Sequence, residues 1–173
     1  VYKGHIMANH YTQVKSEFIC VDDKLEFHSK SSNANHNGTL LYRTEAETAG
    51  SLPSTYTNNR EVSCAVCRQS STTYKSYYTQ WGSNTCASSN GGGMIYKGFL
   101  AGAHYQHGGS GHNQLCLHES PTYGFKTSDA NNDGARLYGT EYEDTGSVDK
   151  NTEGDAGCAT CRSSLRAVHT VWG

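Results

Sequence analysis

Cys64-Ala65-Val66-Cys67-Arg68 and Cys158-Ala159-Thr160-Cys161-Arg162 are the same short string, 94 residues apart. Working outward, the same spacing returns. Val1-Tyr2-Lys3-Gly4 recurs as Ile95-Tyr96-Lys97-Gly98, and His10-Tyr11 recurs as His104-Tyr105, both at 94. Ile19-Cys20-Val21 recurs as Leu115-Cys116-Leu117, and Leu41-Tyr42-Arg43-Thr44-Glu45 as Leu137-Tyr138-Gly139-Thr140-Glu141, both at 96. Even the tails agree, Trp81-Gly82 against Trp172-Gly173. An ordered series of matches at nearly constant offset indicates an internal duplication. It divides the chain into module 1, residues 1–82, and module 2, residues 83–173, expected to pack together as one globular unit.

Each module carries short apolar runs of strand length: 17–21, 39–43 and 61–66 in the first, 113–118 and 135–138 in the second. No long apolar stretch has helical periodicity. Asn33-Ala34-Asn35-His36-Asn37-Gly38 and Asp129-Ala130-Asn131-Asn132-Asp133-Gly134 fall between runs, and Asn-Gly and Asp-Gly are strong hairpin signals. The expected fold is mainly β with little helix: two pseudo-symmetric, disulfide-stapled antiparallel modules joined by residues 69–93. Leu, Ile, Val and Phe supply only 24 of 173 residues, so twelve Tyr, two Trp and seven Cys must do much of the packing.

Seven cysteines in a chain this small point to an oxidising compartment. Val1 in place of an initiator Met and the sequon Asn37-Gly38-Thr39 agree with a secreted, extracellular chain. A zinc ribbon would set its Cys-x-x-Cys pairs about 15–20 residues apart, and a redox motif would need a βαβ context; neither is present. The cysteines read as structural disulfides. Repeat logic pairs Cys116 with one of Cys158 and Cys161, Cys86 with the other, and Cys20 with Cys64 or Cys67. One thiol of the first module is left over.

A formal net charge of −2 without a basic stripe excludes nucleic-acid binding and membrane-surface attraction. The nine His form no HExxH, and there is neither a nucleophile elbow nor a phosphate loop; no cofactor or catalytic metal is called for. Asp129, Asn131, Asp133 and Gly134 match the opening of a calcium loop, but Thr140 stands where the bidentate Glu belongs, so an Asx-type turn is the expectation. Glu141-Tyr142-Glu143 places two carboxylates on one side of a strand, the minimum for a glycosidase, although a charged strand end is the plainer reading.

The strings Tyr96-Lys97-Gly98, His104-Tyr105-Gln106-His107, Gly111-His112-Asn113-Gln114-Leu115-Cys116-Leu117 and Leu137-Tyr138-Gly139-Thr140-Glu141-Tyr142-Glu143 resemble the first half of the globular region of invertebrate short-chain collagen-C4-like proteins. Glu17-Phe18-Ile19-Cys20-Val21-Asp22, Asn37-Gly38, Gly50-Ser51-Leu52-Pro53 and Arg60-Glu61-Val62-Ser63-Cys64-Ala65-Val66-Cys67 resemble its second half. The order is reversed, as after circular permutation. Ala49 and Ser54 stand about where the family has two further cysteines, and no Gly-X-Y run exists. Without the stalk, the chain is similar to stand-alone trimeric sponge lectins that bind N-acetylglucosamine-type sugars. That resemblance implies a non-catalytic, homotrimeric lectin for N-acetylated cell-surface glycans. The alternatives are an extracellular-matrix trimerisation head without sugar binding, and a glycosidase using Glu141 and Glu143.

Sugar recognition needs aromatic planes, amides and carboxylates. The loop 104–113 offers His104, Tyr105, His107, His112 and Asn113 among glycines, and Glu141 and Tyr142 follow the Leu-Tyr strand. These seven are the expected ligand residues. The first module's loop, from His10 to Ser16, lacks the glycines, which makes module 2 the expected better site.

Overall fold

The structure, a computed structural model, describes residues 1–27, 38–49, 52–87, 92–124, 127–143, 154–166, 168 and 170–171. Their regular structure is ten strands: β1 (Tyr2–Ala8), β2 (Ile19–Asp22), β3 (Tyr42–Ala46), β4 (Arg60–Glu61), β5 (Ser63–Val66), β6 (Ser76–Trp81), β7 (Gly93–Gly102), β8 (Leu115–His118), β9 (Ala135–Gly139) and β10 (Gly157–Ser163). No helix is long and apolar enough to cross a membrane among the described residues. The chain forms two compact units. The first comprises Val1–Arg68, Gly102–Asn113 and Thr122–Tyr138; the second comprises Gln69–Ala101, Gln114–Pro121 and Gly139–Gly173.

In the first unit β1 is flanked on both sides. Gly4 faces Asp22 of antiparallel β2 and Cys64 of antiparallel β5, and Ile6 faces Cys20 of β2. A disulfide joins Cys20 to Cys64 with the Cα atoms 5.8 Å apart. Strands either side of a third in a flat sheet lie about 10 Å apart, beyond disulfide reach. So β2 and β5 curl toward each other over one face of β1. That face has no room for a side chain: a Cβ on Gly4 would overlap the carbonyl of Val21. Tyr2 locks the curl from its edge, its hydroxyl donating to Cys20 O at 2.8 Å. Beyond the curl, Val62, between β4 and β5, bridges β1 and β3, its carbonyl accepting from Ile6 N–H and its N–H donating to Thr44 O. There β3 pairs antiparallel with β4 and parallel with β9, Thr44 opposite Ala135. Ile6, Phe18, Leu52, Tyr56, Val62 and Leu137 form the core.

The second unit uses the same device. Here β7 is central, with Leu100 facing Cys116 of β8 and Gly98 facing both His118 of β8 and Cys158 of β10. Cys116 is bonded to Cys158, Cα atoms 5.7 Å apart, a Cβ on Gly98 would overlap Leu117 O, and Tyr96 donates to Cys116 O at 2.8 Å. Leu100 N–H bonds to Ala156 O and Ala156 N–H to Thr140 O, at positions 94 or 96 beyond Ile6, Val62 and Thr44. With Ala101, Ala156, Cys158, Ala159 and Cys161 buried, small residues and sulfur fill this core where aliphatics are scarce.

Two details differ from the expectation, and a third decides a pairing it left open. Residues 69–93 are more than a joint: β6 lies within them, pairs antiparallel along β10 with Trp81 opposite Cys158, and is followed by Cys86, which is bonded to Cys161. The Asp129–Gly134 turn makes no hairpin of β8 and β9. Asp133 is left-handed (φ 51°), as a turn requires, yet the chain leaves it to run parallel to β3. The sequence signal specified the turn and not the partner strand. Cys20 takes Cys64 rather than Cys67, because the register sets Cys64 opposite Gly4, whereas Cys67 lies beyond Val66, opposite Tyr2, and is left exposed and free. The Asn33–Asn37 part of the other turn, and Trp172 with Gly173, lie outside the described residues.

Two outcomes follow. Native protein titrated with a thiol reagent should show one reactive cysteine, with peptide mapping placing the label on Cys67. Gly4→Ala should lower stability by about 3 kcal/mol, because the added methyl meets backbone and not a movable side chain; a urea-denaturation midpoint equal to wild type would contradict the curl.

Candidate functional site

Two His–Tyr corners stand on the first unit, one from each sequence copy. His104 packs against Tyr105 (centroids 4.7 Å, 31° between planes) and meets Tyr138 edge-on (5.0 Å, 62°). His10 packs against Tyr11 (4.8 Å, 32°) and meets Tyr42 edge-on (5.2 Å, 71°). The backbone fixes both imidazoles alike: Gln106 N–H donates to His104 Nδ1 at 3.2 Å, and Thr12 N–H to His10 Nδ1 at 3.3 Å. With Nδ1 an acceptor, the proton of neutral imidazole sits on Nε2. The loops close alike too, His107 N–H to His104 O and Gln13 N–H to His10 O. Edge-to-face and tilted contacts of this kind hold rings in fixed planes. Tyr105 is 82% exposed, so its ring is a presented surface rather than core.

Between the corners lies a charged centre. His107 sits 4.7 Å from His104 and 4.9 Å from Tyr11, ring to ring. Arg136 on β9 lies 4.1 Å over Tyr11, a cation–π contact, and is paired with Glu47 at 3.3 Å and with Asp133. Glu45, 1% exposed, accepts the Asn132 N–H at 2.8 Å through Oε1, while its Oε2 is buried without a partner. Burial raises the pKa of Glu45 above the usual carboxylate range, the Asn132 N–H opposes this, and the Glu47 charge adds to it. Glu47 is raised by burial and pulled back by Arg136. Burial, then the charges of His104 and Arg136, hold His107 below the ordinary imidazole range. Burial opposes the Arg136 charge, but hydrogen bonds to Asp133 and Tyr138 outweigh it and keep the guanidinium ionised.

The seven sequence-derived residues divide. His104, Tyr105 and His107 come together in the corner just described. Asn113 lies on the same unit, but its amide accepts from Phe18 N–H (2.7 Å) and donates to Phe18 O (3.3 Å), clamping the two loops. His112 takes part in the same clamp, its Nδ1 2.5 Å from Ser16 O, with the ring exposed. Glu141 and Tyr142 belong to the second unit, where Glu141 bridges to Asp155 and Tyr142 N–H bonds to Gly154 O. Glu141 and Glu143 are both exposed. In the Asp129–Gly134 loop, Asp133 faces Arg136 and the Asn132 amide faces Glu45. No group of three or more His, Cys, Asp or Glu is arranged to hold a metal among the described residues.

Sequence reasoning missed Tyr11, Tyr138, Arg136, Glu45 and Glu47. The recurrence of Leu-Tyr and Thr-Glu pointed at two of them, Tyr138 and Glu45, but their meeting depends on the parallel β3–β9 pairing, which no local pattern reveals. The chain matches no protein-family profile, no curated protein and no solved structure.

The raised Glu45 pKa makes a signed prediction. The unfolded chain ionises Glu45 first as pH rises, so this group's penalty is absent below the ordinary carboxylate pKa of 4.5 and grows as pH climbs toward the folded value. Glu45→Gln keeps the Oε1 acceptor and removes the buried charge. Its stability relative to wild type should therefore be more favourable at pH 7 than at pH 4, read from urea unfolding at each pH; a pH-independent gap would reject the assignment.

Proposed function

We propose that the protein is an extracellular, non-catalytic lectin that binds N-acetylhexosamine glycans and presents its sites multivalently as a homotrimer. The observation that carries the reading is Tyr105: an exposed aromatic plane seated on His104, which presents an Nε2 donor beside it and packs in turn on Tyr138. Such a ring covers the C–H face of a pyranose while a neighbouring donor takes a hydroxyl. The resemblance to trimeric sponge lectins supplies the sugar class and the oligomer, and three disulfides agree with an oxidising, extracellular setting.

Hapten-inhibited haemagglutination tests the reading. N-acetylglucosamine should block agglutination where glucose does not, and Tyr105→Ala should weaken it roughly tenfold or more without shifting the melting temperature. Light scattering should return the mass of three chains. A trimer whose agglutination no sugar blocks would favour a matrix trimerisation head instead.

A further inference from the structure

Duplication allows the two corners to be compared position by position. His10, Gln13, Leu40 and Tyr42 of the first copy correspond to His104, His107, Arg136 and Tyr138 of the second, at the offsets of 94 and 96 already established. In the second copy these positions carry charge chemistry: Arg136 is paired with Glu47 and Asp133 and lies over Tyr11 of the first copy, and His107 packs on His104 and Tyr11. At the first-copy corner the guanidinium is replaced by Leu40 and the imidazole by Gln13. Beside Gln13 and Leu40 the structure has an open recess of about 610 Å³, lined by Asn9, Gln13, Val14, Gly38, Thr39 and Leu40.

The size falls within the range of small-ligand sites, and the lining narrows the ligand. None of the six residues carries a formal charge, so this lining offers a charged ligand no ion-pair partner and suits a neutral one. Gln13 and Thr39 are exposed and bring an amide and a hydroxyl; Val14, 75% exposed, and half-buried Leu40 bring methyl groups. Asn9 is 7% exposed and fixes the wall, its Nδ2 donating to Val14 O at 3.1 Å and its N–H to Ser16 Oγ at 3.0 Å. A neutral group with an amide, hydroxyls and one methyl matches this set; an acetamido sugar has all three.

We infer that the first-copy corner is a second sugar site, taking the acetamido group of an N-acetylhexosamine between Val14 and Leu40. The assignment rests on the lectin reading and reverses the expectation that module 2 has the better pocket. In this arrangement the second copy presents the outer aromatic plane, Tyr105, and the first copy an open recess whose described lining carries no formal charge.

Amide chemical shifts of the full chain, titrated with N-acetylglucosamine and separately with glucose, test it. N-acetylglucosamine should move the signals of Gln13, Val14, Gly38 and Leu40 in wild type and in Tyr105→Ala. Val14→Trp, a change at an exposed position that leaves the backbone contact with Asn9 intact, should weaken those shifts roughly tenfold. Gln13→Ala should weaken them as well. Shifts confined to residues 104–107 and lost in Tyr105→Ala would overturn this inference and leave the lectin reading standing. Equal shifts with glucose would overturn the acetamido assignment. No shift anywhere with either sugar would overturn both.

Discussion

The interaction on which the rest depends is a disulfide thrown across the back of a strand. Two flanking strands can meet over a third only if the sheet curls and the strand beneath has no side chain on the closed face. Gly4 under Cys20–Cys64 and Gly98 under Cys116–Cys158 are the two instances. Each bridge closes a loop of more than forty residues, which in the chain-entropy picture is worth about 4 kcal/mol. A chain with so few aliphatic residues needs that contribution, since Ala and Cys occupy core positions that larger side chains would otherwise fill. The curled strand also sets where the loops begin: β1 ends at Ala8 and releases His10 and Tyr11, β7 ends at Gly102 and releases His104 and Tyr105.

The two loops share one geometry and differ in chemistry. Ring distances and planes at the two corners agree closely, as do the backbone bonds to each imidazole. The differences lie one layer further out. Arg136 draws Glu47 and Asp133 into a charged knot and holds Tyr11 beneath it; the equivalent position in the first copy is the apolar Leu40. The cluster is only partly buried, with the Asp133 side chain 50% exposed, while Glu45 beside it is buried with one carboxylate oxygen unpartnered.

Much of this was legible in the chain itself. The recurring strings located the equivalent strands and loops, and cysteine arithmetic reduced the pairings to two open choices. Those choices were decided by register, which sets Cys64 and not Cys67 within reach of Cys20, and Cys158 within reach of Cys116. The strand at Ser76–Trp81 escaped notice because Ser, Thr and Tyr around it give no clean alternation of buried and exposed positions. His104, Tyr105 and His107 were found as a local cluster because they are local. Arg136, Glu45 and Tyr11 were not, since they are far apart in sequence and meet only through long-range pairing of β3 with β9 and of Tyr11 with Gly134.

The central claim is that the first unit recognises an acetamido sugar through aromatic and aliphatic contact. Saturation-transfer difference NMR on the intact protein with N-acetylglucosamine tests it most directly. The account predicts transfer strongest at the acetamido methyl and at the ring protons of one pyranose face. Transfer that is absent, or uniform over the sugar, would contradict it.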